Sequence, residues 1–405
     1  MLLNAFQVVL AVLTLCGIAF YLLALLALRS TYLFRRGQQP VADSSLAVSI
    51  LKPLKGADSE TYSVLRSHCL QEYRDYQIIF GVNDASDAAI PVVRRLIDEF
   101  PGLDIRLVIC SEVFGANRKV SNLIHLLREA KYKHILVNDG DIRVPTGYLR
   151  AMMSYFTNPV MGMVTCLYRG DPGRSLGSRL EALGISTDFA PGVLVANYLE
   201  DGLSFGLGST LAMSRVALDK IGGFEAVVDY LADDYQLGQR IAAAGFKVEL
   251  ASEVVDTAVP PYSFRQFWEH QLRWARTMRV SRPGGYRGLA LSYGLAWAIL
   301  LALFAPHHWW TWTLFTAALG LRVAVAFYVG RRMLRDLHFA RDLWLLPLRD
   351  LLALAVWMWS YAGDTVTWRG ETFRLELGRM RPVGSKDAAP SDKEFETNNS
   401  EVQGR

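Results

Sequence analysis

The chain has 405 residues, 51% of them hydrophobic, with a mean hydropathy of +0.18. That is too apolar for an ordinary soluble protein and long enough for one large domain plus membrane segments. Lys and Arg outnumber Asp and Glu by 43 to 39, an excess that matters only through where it falls. Cys16, Cys69, Cys110 and Cys166 have no metal-like spacing, which argues against a disulfide framework or a structural zinc site.

Residues 5–28 form an uncharged apolar run long enough to span a bilayer. No basic region precedes it, and it is too long for a typical cleaved signal core. Arg29, Arg35 and Arg36 follow, so the positive-inside rule places the chain after residue 29 in the cytosol. Residues 37–45 read as a polar linker. From residue 46 the pattern becomes that of an α/β domain extending to 282. Strands are expected at 46–51, 76–82, 105–110, 134–137 and 160–168, with helices at 59–72, 91–100 and 119–130 between them. Such alternation predicts a mostly parallel sheet with right-handed crossovers. Polar residues follow the strands in turn: Lys55, Asp84, the stretch Asn117 to Lys119, then Asp139 and Asp141. They should gather at one edge, where open α/β sheets bind ligands.

Residues 178–213 are apolar and Gly-rich without a clean period. They are read either as core or as a surface lining an apolar acceptor cleft at the membrane. A helix is expected from Asp233-Asp234 to Ala244. Ser263 with Gln266 forms a capping-box pattern, so another helix should start there. Its His270, Arg273 and Trp274 share one face. The arginines and Trp268 around it form a basic, aromatic belt suited to a membrane interface. Residues 288–366 are a C-terminal membrane region. Spans at 288–305 and 309–329 make a hairpin around Pro306-His307-His308, and Arg322 inside the second should face another helix or reach toward the interface. Residues 343–366 either span or lie partly flat. The first choice puts the C-terminus outside; Arg369, Arg374, Arg379 and Arg381 put it inside. Residues 383–405 read as a disordered tail.

Taken alone, Asp139-Gly140-Asp141 reads as a hairpin or solvated turn rather than a site. In company it takes on chemistry. Two carboxylates one residue apart can hold a hard cation that also binds phosphates, with Asp141 the metal ligand and Asp139 reaching the donor as well. Arg273 would grip a diphosphate bidentately. Asp84, at a strand end, suits a base or ribose contact. Asp234, at a helix start, suits a general base that deprotonates a hydroxyl.

In this order, Asp84, Asp139-Gly140-Asp141, Asp233-Asp234 and Arg273-Trp274 resemble the D, DxD, (E/D)D and (Q/R)xxRW motifs of inverting, membrane-bound GT-A glycosyltransferases. Asn117-Arg118-Lys119-Val120-Ser121-Asn122-Leu123 and Asp141-Ile142-Arg143-Val144 resemble ceramide glucosyltransferases, of the family 21 type, and their bacterial hopanoid-biosynthesis relatives. Leu231-Ala232-Asp233-Asp234-Tyr235 and His270-Gln271-Leu272-Arg273-Trp274 look most like the hopanoid branch. His270 departs from the motif's Gln or Arg, and Asp233 stands where many relatives have Glu.

The resemblance implies a Rossmann-like GT-A domain carried by one N-terminal and two to three C-terminal transmembrane helices in a bacterial inner membrane, facing the cytosol. It implies one sugar passed from a UDP-sugar to a lipid hydroxyl with inversion. The pair would be UDP-N-acetylglucosamine and bacteriohopanetetrol, or UDP-glucose and ceramide. Pro53, Lys55, Gly56 and Asp84 would hold the uridine, with Lys119 near the nucleotide. Asp139 and Asp141 would handle sugar, ribose and Mg2+ or Mn2+. Asp233 and His270 would touch substrate, Asp234 would be the base, and Arg273 and Trp274 would close over diphosphate and acceptor. The expected partners are the UDP-sugar, the lipid acceptor and the bilayer, with no nucleic acid. A processive polysaccharide synthase is the alternative, and it would call for more spans and Gln at position 270.

Overall fold

The computed structural model describes residues 4–37, 46–368 and 370–383; the expected linker, the expected tail and Arg369 fall almost wholly outside them. Helix α1 (Ala5–Gly37) is followed by β1 (Val48–Pro53), α2 (Thr61–Cys69), β2 (Tyr76–Val82), α3 (Ala89–Glu99), β3 (Asp104–Ile109), α4 (Arg118–Glu129), β4 (His134–Val137) and the short β5 (Ile142–Arg143). Next come α5 (Tyr148–Ser154), β6 (Met161–Pro172), α6 (Leu176–Gly184), a π-helical turn at Ile185–Phe189, α7 (Ala190–Leu199), β7 (Leu211–Ser214), α8 (Arg215–Lys220), α9 (Asp233–Ala243) and β8 (Lys247–Val259). The C-terminal part holds α10 (Phe264–Ser281), α11 (Pro283–Gly288), α12 (Gly294–Phe304), α13 (Trp309–Ala326), α14 (Phe339–Asp342), α15 (Leu346–Trp359), β9 (Thr365–Trp368), β10 (Glu371–Glu376) and β11 (Arg379–Pro382).

Eight strands form one sheet in the order β3-β2-β1-β4-β7-β6-β8-β5. The first four are parallel, as the alternating pattern predicts. Beyond β4 the sheet is mixed: β7 runs antiparallel to both β4 and β6, β6 and β8 pair in parallel, and β5 runs antiparallel to β8. The expectation of a mostly parallel sheet therefore holds for one half only. Every residue of β1 and β2 is buried, because helices cover both faces. Leu51, Ile79 and Val137 point into one core; Ile50, Ile78 and Leu136 point into the other. Tyr21, Ala24 and Ala27 of α1 belong to the first core, so the N-terminal helix packs directly on the domain.

Among the described residues, three helices are long and apolar enough to cross a membrane: Ala5–Thr31, Trp309–Met333 and Phe339–Ala362. The expected span at 288–305 is broken instead. Pro283–Ser292 and Gly294–Phe304 meet at a 50° bend. At that break Gly294 lies against Gly17 of α1 so closely that a Cβ on Gly17 would sit 2.1 Å from the Gly294 Cα. Small residues of this kind let apolar helices approach closely where no hydrophobic effect drives them together.

Arg322 faces other helices, as expected. Its guanidinium meets Asp350 twice, at 2.7 and 2.8 Å, donates to the Thr187 carbonyl at 2.6 Å, and contacts Asp188. The stretch 343–366 is tied at both ends to other parts of the chain. Before it, Arg179 binds Asp342 and Ser186 donates to Asp336. At its C-terminal end, Arg276 and Arg279 of α10 donate to the Thr365 and Gly363 carbonyls. Strands β9–β11 form a separate antiparallel sheet tied back to the domain by Met380 N–H donating to the Asp229 carbonyl at 2.7 Å.

Candidate active site

The carboxyl end of β4 delivers Asn138, Asp139 and Asp141. Asn138 is fully buried, and its amide donates to Ser209 O (2.7 Å), Tyr148 Oη (2.9 Å) and Thr210 Oγ1 (3.2 Å). That anchor fixes the turn. The Asp139 carbonyl accepts from the Lys52 ammonium at 2.7 Å, and the Asp141 carboxylate accepts from Thr257 of β8 at 2.8 Å. The expected strand ends at residue 51, one short of Lys52. Lys52 lies inside β1, with no exposed surface. Burial pushes its ammonium down to about 7 against the attraction of Asp141 and Asp139. The crowded cleft wall and the neighbouring Asp139 charge raise the Asp141 carboxyl above the usual range.

Lys119, at the second position of α4, is placed by Asn117, whose side chain caps the Lys119 and Val120 amides. Its ammonium lies 2.8 Å from Asp139 and 3.0 Å from Asp233. Burial opposes its charge, but Asp139, Asp233 and Asp234 outweigh that and hold its pKa above the ordinary lysine value. Asp233 and Asp234 form the first turn of α9. Burial and the Asp233 charge push the Asp234 carboxyl up to about 6, while Lys119 and the Tyr235 amide pull it down. One Asp234 oxygen accepts from that amide at 2.7 Å. The other faces Asp139 across Gly208, where a Cβ would lie 3.1 Å from Asp139 Oδ2 and 3.2 Å from Asp234 Oδ2. Only a glycine leaves the space between these carboxylates open.

Helix α10 begins with the expected capping box, both hydrogen bonds present, and sends His270, Arg273 and Trp274 into the same cleft. The cleft measures about 500 Å³ and takes in Pro53, Lys119, Asp139, Asp141, Asp233 and Asp234. Lys55, Gly56 and Asp84 do not line it. They follow β1 and β2 on the same sheet edge, but β2 lies two strands from β4, about 10 Å away. Asp84 turns back on its own loop, accepting from the Ser86 amide and hydroxyl at 2.8 Å, which keeps its carboxyl below the usual range.

Three contributors escaped sequence reasoning. Lys52 carried no motif. Trp368 of β9 lines the cleft from the unexpected C-terminal sheet. Glu181 of α6, 2% exposed, sits with its carboxylate 3.2 Å from His270 Nδ1 and accepts from Gln271 at 2.8 Å. It lay in a stretch with no readable period.

Behind the cleft is a second, mostly apolar cavity of about 310 Å³, walled by α6, the π turn, α7, α10, α13 and α15. Seven residues line both spaces: Glu181, Ile185, Phe189, Phe205, Trp274, Met278 and Arg282. Glu181, Ile185, Phe189 and Phe205 of the stretch 178–213 belong to this shared wall, while Leu180, Leu183, Leu194 and Leu211 of the same stretch are core.

A Rossmann-like sheet with a carboxylate turn at its switch point, a second acidic pair on a helix start and an Arg–Trp helix above define a GT-A type glycosyltransferase. The chain belongs to glycosyl transferase family 21, whose family model matches residues 9–381, and it is a hexosyltransferase. Ceramide glucosyltransferase 3 of Caenorhabditis elegans is 26% identical over 373 residues, covering 88% of this chain and 79% of the relative. Ceramide glucosyltransferase 1 of the same organism is 25% identical, covering 85% and 75%. Among solved structures, a mannosyltransferase of Pyrobaculum calidifontis, determined with GDP-Man and Mn2+, superposes with a TM-score of 0.52 at 18% identity, covering 86% of this chain and 99% of that one. Family membership makes lipid glycosylation the activity class.

Proposed function

We propose that this protein transfers a single sugar, with inversion, from a UDP-sugar on the cytosolic side to the hydroxyl of a membrane lipid. The observation that carries this reading is the junction of two spaces. A carboxylate-lined cleft opens through seven shared residues into an apolar cavity walled partly by membrane-type helices. A sugar donor suits the first and a lipid body suits the second. A ceramide or a hydroxylated hopanoid such as bacteriohopanetetrol fits the cavity chemically. The donor is UDP-glucose in the first case and UDP-N-acetylglucosamine in the second, and the membrane is the bacterial inner membrane.

In this reading the domain comprises residues 46–282 and the membrane region residues 5–28 and 288–366. Asp234 takes the proton of the lipid hydroxyl; its raised pKa makes it a base near neutral pH. A single attack by that oxygen inverts the anomeric carbon. Lys119 orients Asp139 and Asp233 and adds positive charge where the diphosphate leaves. Arg273 contacts the diphosphate, and Trp274 walls the acceptor. Pro53 meets the nucleotide, whose uracil end runs along the β1–β2 edge toward Lys55, Gly56 and Asp84.

Among the described residues no group of three or more His, Cys, Asp or Glu side chains could hold a metal. Asp139 and Asp141 alone suit a cation whose shell the donor's phosphates complete; burial and the Asp139 charge raise the Asp141 carboxyl, and a cation there would favour its ionised form. Mg2+ or Mn2+ held by these two would neutralise the departing diphosphate.

The test is transfer from labelled UDP-sugars to lipids by the full chain in nanodiscs. One sugar per lipid supports the reading; ladders of added sugars would favour a processive synthase.

A further inference from the structure

Trp368 belongs to none of the motifs, and the chain reaches it only after the membrane helices. Among the described residues, every other residue that lines the cleft comes from positions 53–282. The strand that carries Trp368 dictates its place. Alternation along β9 puts Val366 and Trp368 on one face and Thr365 and Thr367 on the other. Val366 is buried with Leu231, Phe373, Leu375 and Met380, and Trp368 packs half-buried against that cluster, as do Ala116 and Val280. The sheet is fixed to three elements that carry site residues. Met380 N–H donates to the Asp229 carbonyl at 2.7 Å, just before Asp233. Glu371, opposite Trp368 in the β9–β10 ladder, lies 3.8 Å from Arg118, the neighbour of Lys119. Arg276 of α10, one turn after Arg273, donates to the Thr365 carbonyl at 2.6 Å. Such tethers make the sheet a rigid mount for a side chain that binds substrate.

The tethers flank Lys119 and Asp233, whose side chains lie 3.0 Å apart, and not the β1–β2 edge assigned above to the uracil. Trp368 does not line the apolar cavity, so it faces the donor's space and not the lipid's. With Lys119 and Arg273 at the diphosphate, the part of the donor left for Trp368 is the sugar. A hexose is polar at its rim but presents C–H groups on the faces of its ring. An indole covers such a face with a large, rigid apolar area at low entropic cost. Resting on the transferase reading above, we infer that Trp368 is a donor-binding residue whose indole packs against the C–H face of the transferred hexose, with β9–β11 as its mount. It contacts the sugar and not the uridine diphosphate, so it adds to the affinity for UDP-sugar and not to that for UDP.

The experiment titrates UDP, UDP-glucose and UDP-N-acetylglucosamine into the full chain in nanodiscs with Mg2+, by calorimetry, and follows the UDP-sugar that wild type binds more tightly. Trp368→Leu keeps apolar bulk against Leu231 but removes the ring face. It should raise the UDP-sugar Kd about tenfold and leave the UDP Kd within about twofold of wild type. Trp368→Phe, which returns an aromatic face, should bring the UDP-sugar Kd back to within about threefold. A residue that merely holds the sheet together would be served as well by Leu as by Phe. Equal losses for UDP and UDP-sugar, an unchanged UDP-sugar Kd in Trp368→Leu, or no recovery in Trp368→Phe overturns the inference and leaves the transferase reading standing. Wild type that binds neither UDP-sugar overturns that reading and this inference with it.

Discussion

Replacing Asp234 by Asn separates catalysis from folding. The carboxyl titrates at about 6 in the fold against 3.8 for an ordinary Asp. The folded state therefore binds this proton more tightly than the unfolded chain does. The stabilisation this gives is complete below pH 4 and is lost as pH rises through 6. Above pH 6 the ionised Asp234 costs the fold about 3 kcal/mol at most, from a shift of roughly two units at 1.36 kcal/mol each. Asp234→Asn should thus raise Tm at pH 7.5 and leave it nearly unchanged at pH 4. Turnover should fall by about 10²–10⁴, the usual worth of a general base. In wild type, turnover should drop about tenfold per pH unit below 6 as the base protonates. The assay is UDP release with lipid acceptor in nanodiscs, alongside UDP-sugar binding and thermal unfolding at both pH values. Near-full turnover in a variant that still binds donor would refute the base assignment. A lower Tm at pH 7.5 would refute the electrostatic account of its environment.

Other perturbations test neighbouring parts of the site. Gly208→Ala places a methyl 3.1 and 3.2 Å from the facing oxygens of Asp139 and Asp234; kcat/KM should fall at least about tenfold while Tm changes little, since the methyl wedges the site rather than the core. Lys119→Met strands Asp139 and Asp233 without their cation, and should lower stability by about 3 kcal/mol, the low end for a broken buried pair because Asp139 opens to the cleft. Its UDP-sugar Kd should rise as well, as read by titration. Arg322→Gln takes from buried Asp350 its two direct hydrogen bonds and leaves Asp188 with Arg349 alone, a loss of about 3 kcal/mol seen as a lower Tm in nanodiscs, and Arg322→Gln combined with Asp350→Asn should recover part of it.

What the sequence made legible was local. The four parallel strands announce themselves as short apolar runs ending in turn residues, and the start of α10 through its Ser263–Gln266 box. The acidic residues of the cleft stand at strand ends and helix starts, so their positions followed once the elements were placed. What stayed hidden depends on distant partners. Strand β7 is four residues long and exists because β4 and β6 flank it. Strands β9–β11 carry alternating charges and gain a core only where Leu231 packs under Val366 and Phe373. Lys52 falls just past the expected strand 46–51, since nothing nearby in sequence could balance a buried ammonium; its partner is the Asp139 carbonyl, 87 residues on. Glu181 likewise finds His270 and Gln271 only through the fold. Asp84 shows the reverse case. A strand-end position did put it on the ligand-binding edge, but its side chain satisfies its own turn instead of reaching the cleft.

The central claim is transfer of one sugar to a lipid hydroxyl drawn from the apolar cavity. The most direct measurement is mass spectrometry, with anomeric assignment by NMR, of lipids recovered from nanodiscs holding the purified full chain, candidate acceptors and an α-linked UDP-sugar. The account predicts a single added hexose or N-acetylhexosamine per lipid in β linkage, absent with Asp234→Asn. Retained α configuration, multiple sugars per acceptor, or transfer only to water-soluble acceptors would contradict it.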